Sequence, residues 1–278
     1  MEVLLGLITA AAFGSGDFFG GLSAKRTAVL YVVGFSHLVG LIGVTILAPF
    51  LADVFTWHDF GLGVIAGAIG GVGVALLYRG LARGPMAVVA PLTAITSAAA
   101  PAAWGVLDGE SFSGWAWLGI AFALVAIALT SIPTETTLTA VTPTVVAESL
   151  LAGACFGVMF ILYDISDDAT APWPIVGARA LTTGVLLAVI FSTHRAGLTS
   201  ARTAMWPIVL TGLFDTGSNA VFLYATTRGD LTIVAVLSSL YPIATVILAR
   251  FVLDERVSKV QLAGLCSALV ATALIATG

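Results

Sequence analysis

Four ionisable side chains stand inside long apolar runs of this sequence: Asp17, His37, Arg179 and Asp215. In hydrocarbon an ionised group costs a few kcal/mol or more, so each must face a partner, water or a ligand. Asp17 is flanked by Gly14, Gly16, Gly20 and Gly21, which let a neighbouring helix or a ligand come close. Its carboxylate can hold a proton or a cation, or serve packing by pairing with a basic residue. Asp215 is followed one helical turn later by Asn219 on the same face; together they suit a cation or an amino group, unless Asp215 is the internal partner of Arg179. Arg179 is permanently charged and demands an anion, either a side chain or a ligand carboxylate or phosphate. His37 changes charge near neutral pH, or is a hydrogen-bonded packing residue. Trp104 and Tyr241 join this set because an aromatic ring with a polar tip suits a cavity wall. The expected ligand-binding residues are therefore Asp17, His37, Trp104, Arg179, Asp215, Asn219 and Tyr241, with Asp17 and Asp215 able to take and release a proton.

Other chemistries find no footing. Ser15 with His37 is the one serine–histidine pairing worth naming, and no His-x-x-x-His or other metal-ligand spacing occurs, so no catalytic residue, metal or cofactor is expected. A glycine-rich phosphate loop is absent as well. The basic residues never cluster beyond Lys25-Arg26 and the net charge is −4, which argues against nucleic acid. Cys155 and Cys266 lie in apolar runs and read as small buried hydrophobes. Asp164, Asp167 and Asp168 read as a solvated loop.

The elements that position these residues follow from composition. Of 278 residues, Lys+Arg supply 11 and Asp+Glu 15, so 9% of the chain is charged against 59% hydrophobic, and the mean hydropathy is +1.08. A soluble domain carries about a quarter charged residues; lipid must be the solvent here. Ten apolar segments are expected, at about 3–22, 28–50, 60–82, 85–107, 114–132, 144–163, 173–193, 206–227, 230–252 and 259–277. Each is continuous and about 20 residues long, which predicts an all-α membrane bundle rather than a β-barrel. The first 22 residues lack a basic leader and carry Asp17, so they read as a membrane helix, not a cleaved signal. Connections are too short for a separate soluble domain.

The sequence also repeats. A shift of 145 aligns Gly84 with Gly229, Glu110 with Glu255, Ser113 with Ser258 and Gly119 with Gly264; a shift of 143 aligns Phe13-Gly14 with Phe156-Gly157. Residues 1–140 and 144–278 thus read as two five-helix repeats. Five is odd, so the second repeat enters the membrane from the opposite side, and the two are expected to be inverted. Pro91 and Pro101 in the fourth segment and Pro242 in the ninth are expected to act as hinges, because each removes a backbone hydrogen bond.

The short loop Arg83-Gly84-Pro85, its mate Arg228-Gly229-Asp230, Tyr241-Pro242, the stretch Leu253-Asp254-Glu255-Arg256-Val257-Ser258, Gln261 and Gly264 resemble the drug/metabolite transporter superfamily, specifically its ten-helix EamA-type members. The resemblance implies a secondary transporter of the cytoplasmic membrane. It would move a small polar or amphipathic molecule, amino-acid-like, amine or drug-like, by alternating access, outward rather than inward, with proton movement coupled through Asp17 or Asp215. Asp17 is similar in helix and depth to the first-helix carboxylate of small multidrug-resistance relatives, which holds protons and cations alternately. An uptake carrier for an organic cation is the rival; an intramembrane enzyme or a non-transporting receptor are rivals of other classes. Expected partners are the small molecule, the bilayer and, if the chain is not monomeric, a second copy in a homodimer. Lys25, Arg26, Arg79, Arg83, Arg195, Arg202, Arg250, Arg256 and Lys259 lie at the odd-numbered connections, against Arg228 alone at the even-numbered ones. This bias predicts cytoplasmic odd connections and both termini outside, opposite to many EamA-type relatives.

Overall fold

The computed structural model describes residues 1–84, 86–110, 112–130, 132, 142–193, 198–252 and 258–277. Pro85, Ser111, Arg195, Leu253 to Val257 and most of the 132–144 connection lie outside the described residues, as does the side chain of Pro91. Within lipid a chain must satisfy its backbone locally, and the described residues are helical without any strand. The helices are α1 (Glu2–Ala24), α2 (Val29–Leu51), α3 (Trp57–Arg83), α4 (Met86–Asp108), α5 (Gly114–Thr130), α6 (Pro143–Asp164), α7 (Trp173–Thr193), the short α8 (Leu198–Thr203), α9 (Met205–Thr226), α10 (Leu231–Ser238), α11 (Tyr241–Val252) and α12 (Lys259–Thr277). Eight spans are long and apolar enough to cross a membrane, counting α10 and α11 as one; α5 and α12 are shorter apolar helices. Every apolar segment of the sequence has its counterpart, and α8 is additional.

Several motif residues prove to be helix starts. The Ser113 hydroxyl accepts from the Ala116 N–H to cap α5. Its counterpart Ser258 caps α12 reciprocally: Gln261 N donates to Ser258 Oγ at 3.1 Å while Ser258 N donates to Gln261 Oε1 at 2.9 Å, a capping box. Glu110 accepts from the Thr232 N–H, placing a carboxylate at the positive end of α10.

The ninth segment, expected as one helix, is broken between α10 and α11. Pro242 has no N–H to give the Ser238 carbonyl. Leu240 N bonds Leu237 O and Ile243 N bonds Leu240 O, so the ladder tightens to three-residue spacing for a turn, and the Ser239 hydroxyl takes the Ala235 carbonyl at 2.7 Å. α4 runs unbroken from Met86 to Asp108 although it contains Pro91 and Pro101. Three alanines directly precede Pro101, and the Thr96 and Ser97 hydroxyls bond the carbonyls of Leu92, Thr93 and Ala94 one turn earlier without breaking the helix.

Packing pairs the two halves crosswise. α1 lies on α9 as α3 lies on α6; α6 lies on α4 as α1 lies on α10 and α11; α3 lies on α7 as α2 lies on α9. The remaining large contacts, α5 with α12 and α2 with α7, each join the corresponding segments of the two halves. Two hydrogen bonds on these seams, Ser267 Oγ to the Phe122 carbonyl and His37 to Thr182, link positions 145 apart.

Close approach depends on small residues. Along α3 a Cβ at Gly63 would strike the Pro174 backbone, at Gly67 the Ala178 backbone, and at Gly71 would stand 2.8 Å from Thr182 Cγ2, so α7 is drawn tight against α3. The helix ends sort by charge. Glu2, Asp53, Asp59, Asp108, Glu110, Asp164, Asp167, Asp168 and Asp230 share one end with Arg228, while Lys25, Arg26, Arg79, Arg83, Arg202, Arg250 and Lys259 share the other.

Gly67→Ala should therefore cost about 1–3 kcal/mol by overpacking and lower the melting temperature of the detergent-purified protein. Gly61→Ala, with nothing within 4 Å of its Cβ, should be neutral or stabilise by up to about 1 kcal/mol.

Candidate functional site

Midway along the helices lies a small cavity lined by side chains from nine helices. Helices from both halves supply its walls, α1 to α4 from the first and α6, α7, α9, α10 and α11 from the second. Asp17, His37, Arg179, Asp215, Asn219 and Tyr241 all line it. Trp104 does not: it is 39% exposed on the part of α4 nearer the acidic end, where an amphipathic ring suits the membrane interface. That member of the expected set is corrected.

The polar residues form one network. Arg179 Nη2 lies 2.8 Å from Asp215 Oδ2, the internal ion pair that the sequence left open against a ligand. Arg179 Nη1 lies 2.8 Å from His37 Nε2, and His37 Nδ1 lies 2.7 Å from Thr182 Oγ1. Thr182 also donates its hydroxyl proton to the Ala178 carbonyl at 3.0 Å. Asn219 Nδ2 donates to the Asp215 carbonyl at 2.7 Å, holding the amide on the same face as the carboxylate. Tyr241 donates to the Ala90 carbonyl at 2.8 Å, tying the broken ninth segment to α4. Three buried polar atoms of lining residues have no partner: Arg179 Nε, Asn219 Oδ1 and Ser238 Oγ.

Asp17 stands apart in charge. A Cβ at neighbouring Gly16 would lie 3.3 Å from the Asp215 nitrogen, so α1 meets α9 at this level, yet no ion pair among the described residues includes Asp17. With Arg179 and Asp215 cancelling each other, the lining has one carboxylate without a counter-charge. Phe13, Phe156, Phe160, Tyr78 and Tyr163 supply aromatic wall.

Apolar layers lie on either side. Toward the acidic end Phe160 stacks on Phe222 at 4.2 Å between centroids, within a cluster that includes Ile175, Leu223, Leu231 and Val234. Toward the basic end Val33, Leu77, Leu81, Val89 and Ile208 pack together, and beyond them Arg79 and Arg83 clasp Glu148 at 2.9 and 3.5 Å, joining α3 to α6. A second, wider cleft opens at the acidic end, lined by Asp53, Asp167, Asp168, Tyr224 and Arg228.

Sequence reasoning missed Thr182, Ser238 and Ser239. Thr182 was within reach, since it follows Arg179 by three residues and shares its face.

These features define a multi-pass helical membrane protein with a polar cavity between its two halves. Residues 145–277 match the EamA-like transporter family, and the resemblance to the drug/metabolite transporter superfamily carried by Tyr241-Pro242, Gln261 and Gly264 holds over that stretch. No curated protein matches the chain. Its fold is similar to that of a solved structure described simply as the crystal structure of a protein, at 16% sequence identity and TM-score 0.70, over 96% of this chain and 95% of the other.

Removing one member of a buried ion pair typically costs about 3–5 kcal/mol, because the other is left uncompensated, whereas an apolar pair is often tolerated. Arg179→Leu should accordingly lower the thermal stability of the purified protein sharply, and Arg179→Leu with Asp215→Leu should recover most of it.

Proposed function

We infer that the protein is a secondary transporter that moves a small polar or amphipathic molecule across the cytoplasmic membrane by alternating access. The observation that carries this reading is the cavity itself. It lies midway along the spanning helices, is built from both halves of the chain and includes a discontinuous helix, features that transporters of repeat architecture use for their sites. The crosswise packing of helices and the pairing of positions 145 apart support two inverted five-helix repeats, 1–140 and 144–278, as the moving units. Asp17, without a counter-charge, is the group suited to exchange a proton for a cationic part of the cargo; Asp215 is occupied by Arg179. Pro242, at the break, is the hinge of the second half. The charge bias of the helix ends supports a cytoplasmic basic end with both termini outside, in a monomer or homodimer. Outward transport rests on the family resemblance. Uptake of an organic cation is the second reading, favoured by the uncompensated Asp17, the aromatic wall and the acidic end.

In proteoliposomes screened with amino acids, polyamines, quaternary amines, nucleosides and sugar phosphates, flux of at least one class should depend on a pH gradient. Asp17→Asn should abolish that dependence; flux indifferent to both would leave a facilitated carrier with Asp17 in a packing role. Pro242→Ala should change turnover several-fold while leaving protein abundance intact, and unchanged turnover would remove the hinge role.

A further inference from the structure

The hydrogen bonds around His37 fix its proton. Arg179 Nη1 can only donate, so His37 Nε2 accepts from it at 2.8 Å; a neutral ring then carries its hydrogen on Nδ1, and the Thr182 hydroxyl accepts that hydrogen while donating its own to the Ala178 carbonyl. The charged and titratable groups that share the cavity with His37 are Arg179 from α7, Asp215 from α9, Tyr78 from α3, Asp17 from α1, Tyr163 from α6 and Tyr241 from α11; α8 meets α2 near Tyr31, and its Arg202 is exposed. A second proton on His37 would set a ring N–H against the guanidinium N–H, so that contact must break. The same ring nitrogen already lies 3.7 Å from Asp215 Oδ2, and a movement of about 1 Å makes that a charge-assisted hydrogen bond. Asp215 then neutralises His37. Arg179 loses its bond to the ring and its sole claim on the carboxylate, while its Nε, buried and unpartnered at the cavity, has no bond to lose.

We propose that Arg179 is a latched anion site, closed by neutral His37 and opened when His37 takes a proton, which then receives a carboxylate group of the transported molecule. This rests on the transporter reading for the identity of the cargo but not for its test. Proton and carboxylate bind together: one positive charge enters at His37 and one negative charge at Arg179. Linkage makes the coupling reciprocal, so carboxylate binding must also draw a proton onto the protein.

The test uses the purified full chain in lipid nanodiscs. With nitrogen-labelled histidine and arginine, the chain's three histidines are resolved by magnetic resonance. The neutral form of His37 should carry its hydrogen on Nδ1, and its titration should move the Arg179 signals. Calorimetry with 4-methylpentanoate should show at least tenfold tighter binding below the His37 titration midpoint than above it, with uptake of about one proton. Isopentylamine should gain nothing. His37→Gln, which can accept from Arg179 and donate to Thr182 but cannot take a charge, should remove the pH dependence. A hydrogen on Nε2 of neutral His37, Arg179 signals that ignore its titration, or carboxylate binding that is absent or equal on both sides of the midpoint would each overturn the proposal. The tautomer and titration readouts need no substitution, and flux measurements judge the transporter reading separately.

Discussion

A guanidinium cannot shed its proton in a membrane interior, and much of the structure follows from where that charge is kept. Arg179, 5% exposed, needs an anion within reach, and Asp215 supplies it only if α7 and α9 come close at the same depth. α7 is held there by α3, whose glycines let the backbones of Pro174 and Ala178 approach. α9 is held by α1, where Gly16 stands against Asp215, and by α2, where Gly212 of α9 meets the Ser36 carbonyl. Each small residue is thus an energetic condition for the ion pair, and the cavity is the space these helices leave around it. In lipid, where apolar surface gives helices little reason to associate, close backbone packing and such polar links must supply the cohesion.

The helix contacts of the two halves correspond while their chemistry does not. At the sequence offsets of 143 and 145, Asp17 aligns with Phe160, Asp215 with Gly70, and Arg179 with Ser36. The polar groups of one half thus align with apolar or small residues of the other. Ser113 and Ser258 cap corresponding helices, yet Pro242 sits at a break where Ser97 continues a helix.

The parts of the site that were legible in the sequence are those that lipid makes expensive. Asp17, His37, Arg179 and Asp215 stand out because a charge in an apolar run has to be accounted for, and Asn219 because it shares a face with Asp215. Ser238 and Ser239 were not legible, since hydroxyls in helices routinely satisfy themselves on their own backbone and mark nothing by their presence; Thr182 could be reached only through Arg179, whose face it shares. The helical segments could be read almost to the residue from hydropathy. The break in the ninth was legible only as one of three proline hinges, and α4 carries the other two without breaking. Trp104 shows the opposite error, an amphipathic ring assigned to a cavity when the interface serves it equally well.

The sorting of charge between the two ends has a consequence for the medium the protein meets. Among the described residues nine carboxylates stand at one end with a single arginine, and such an end concentrates counter-ions within a Debye length, about 8 Å at physiological ionic strength. Protons are among those ions, so the layer of water touching the acidic end is more acidic than the bulk, and less so as salt rises. Any group that exchanges protons through that mouth responds to this local surface pH rather than to the value on the meter.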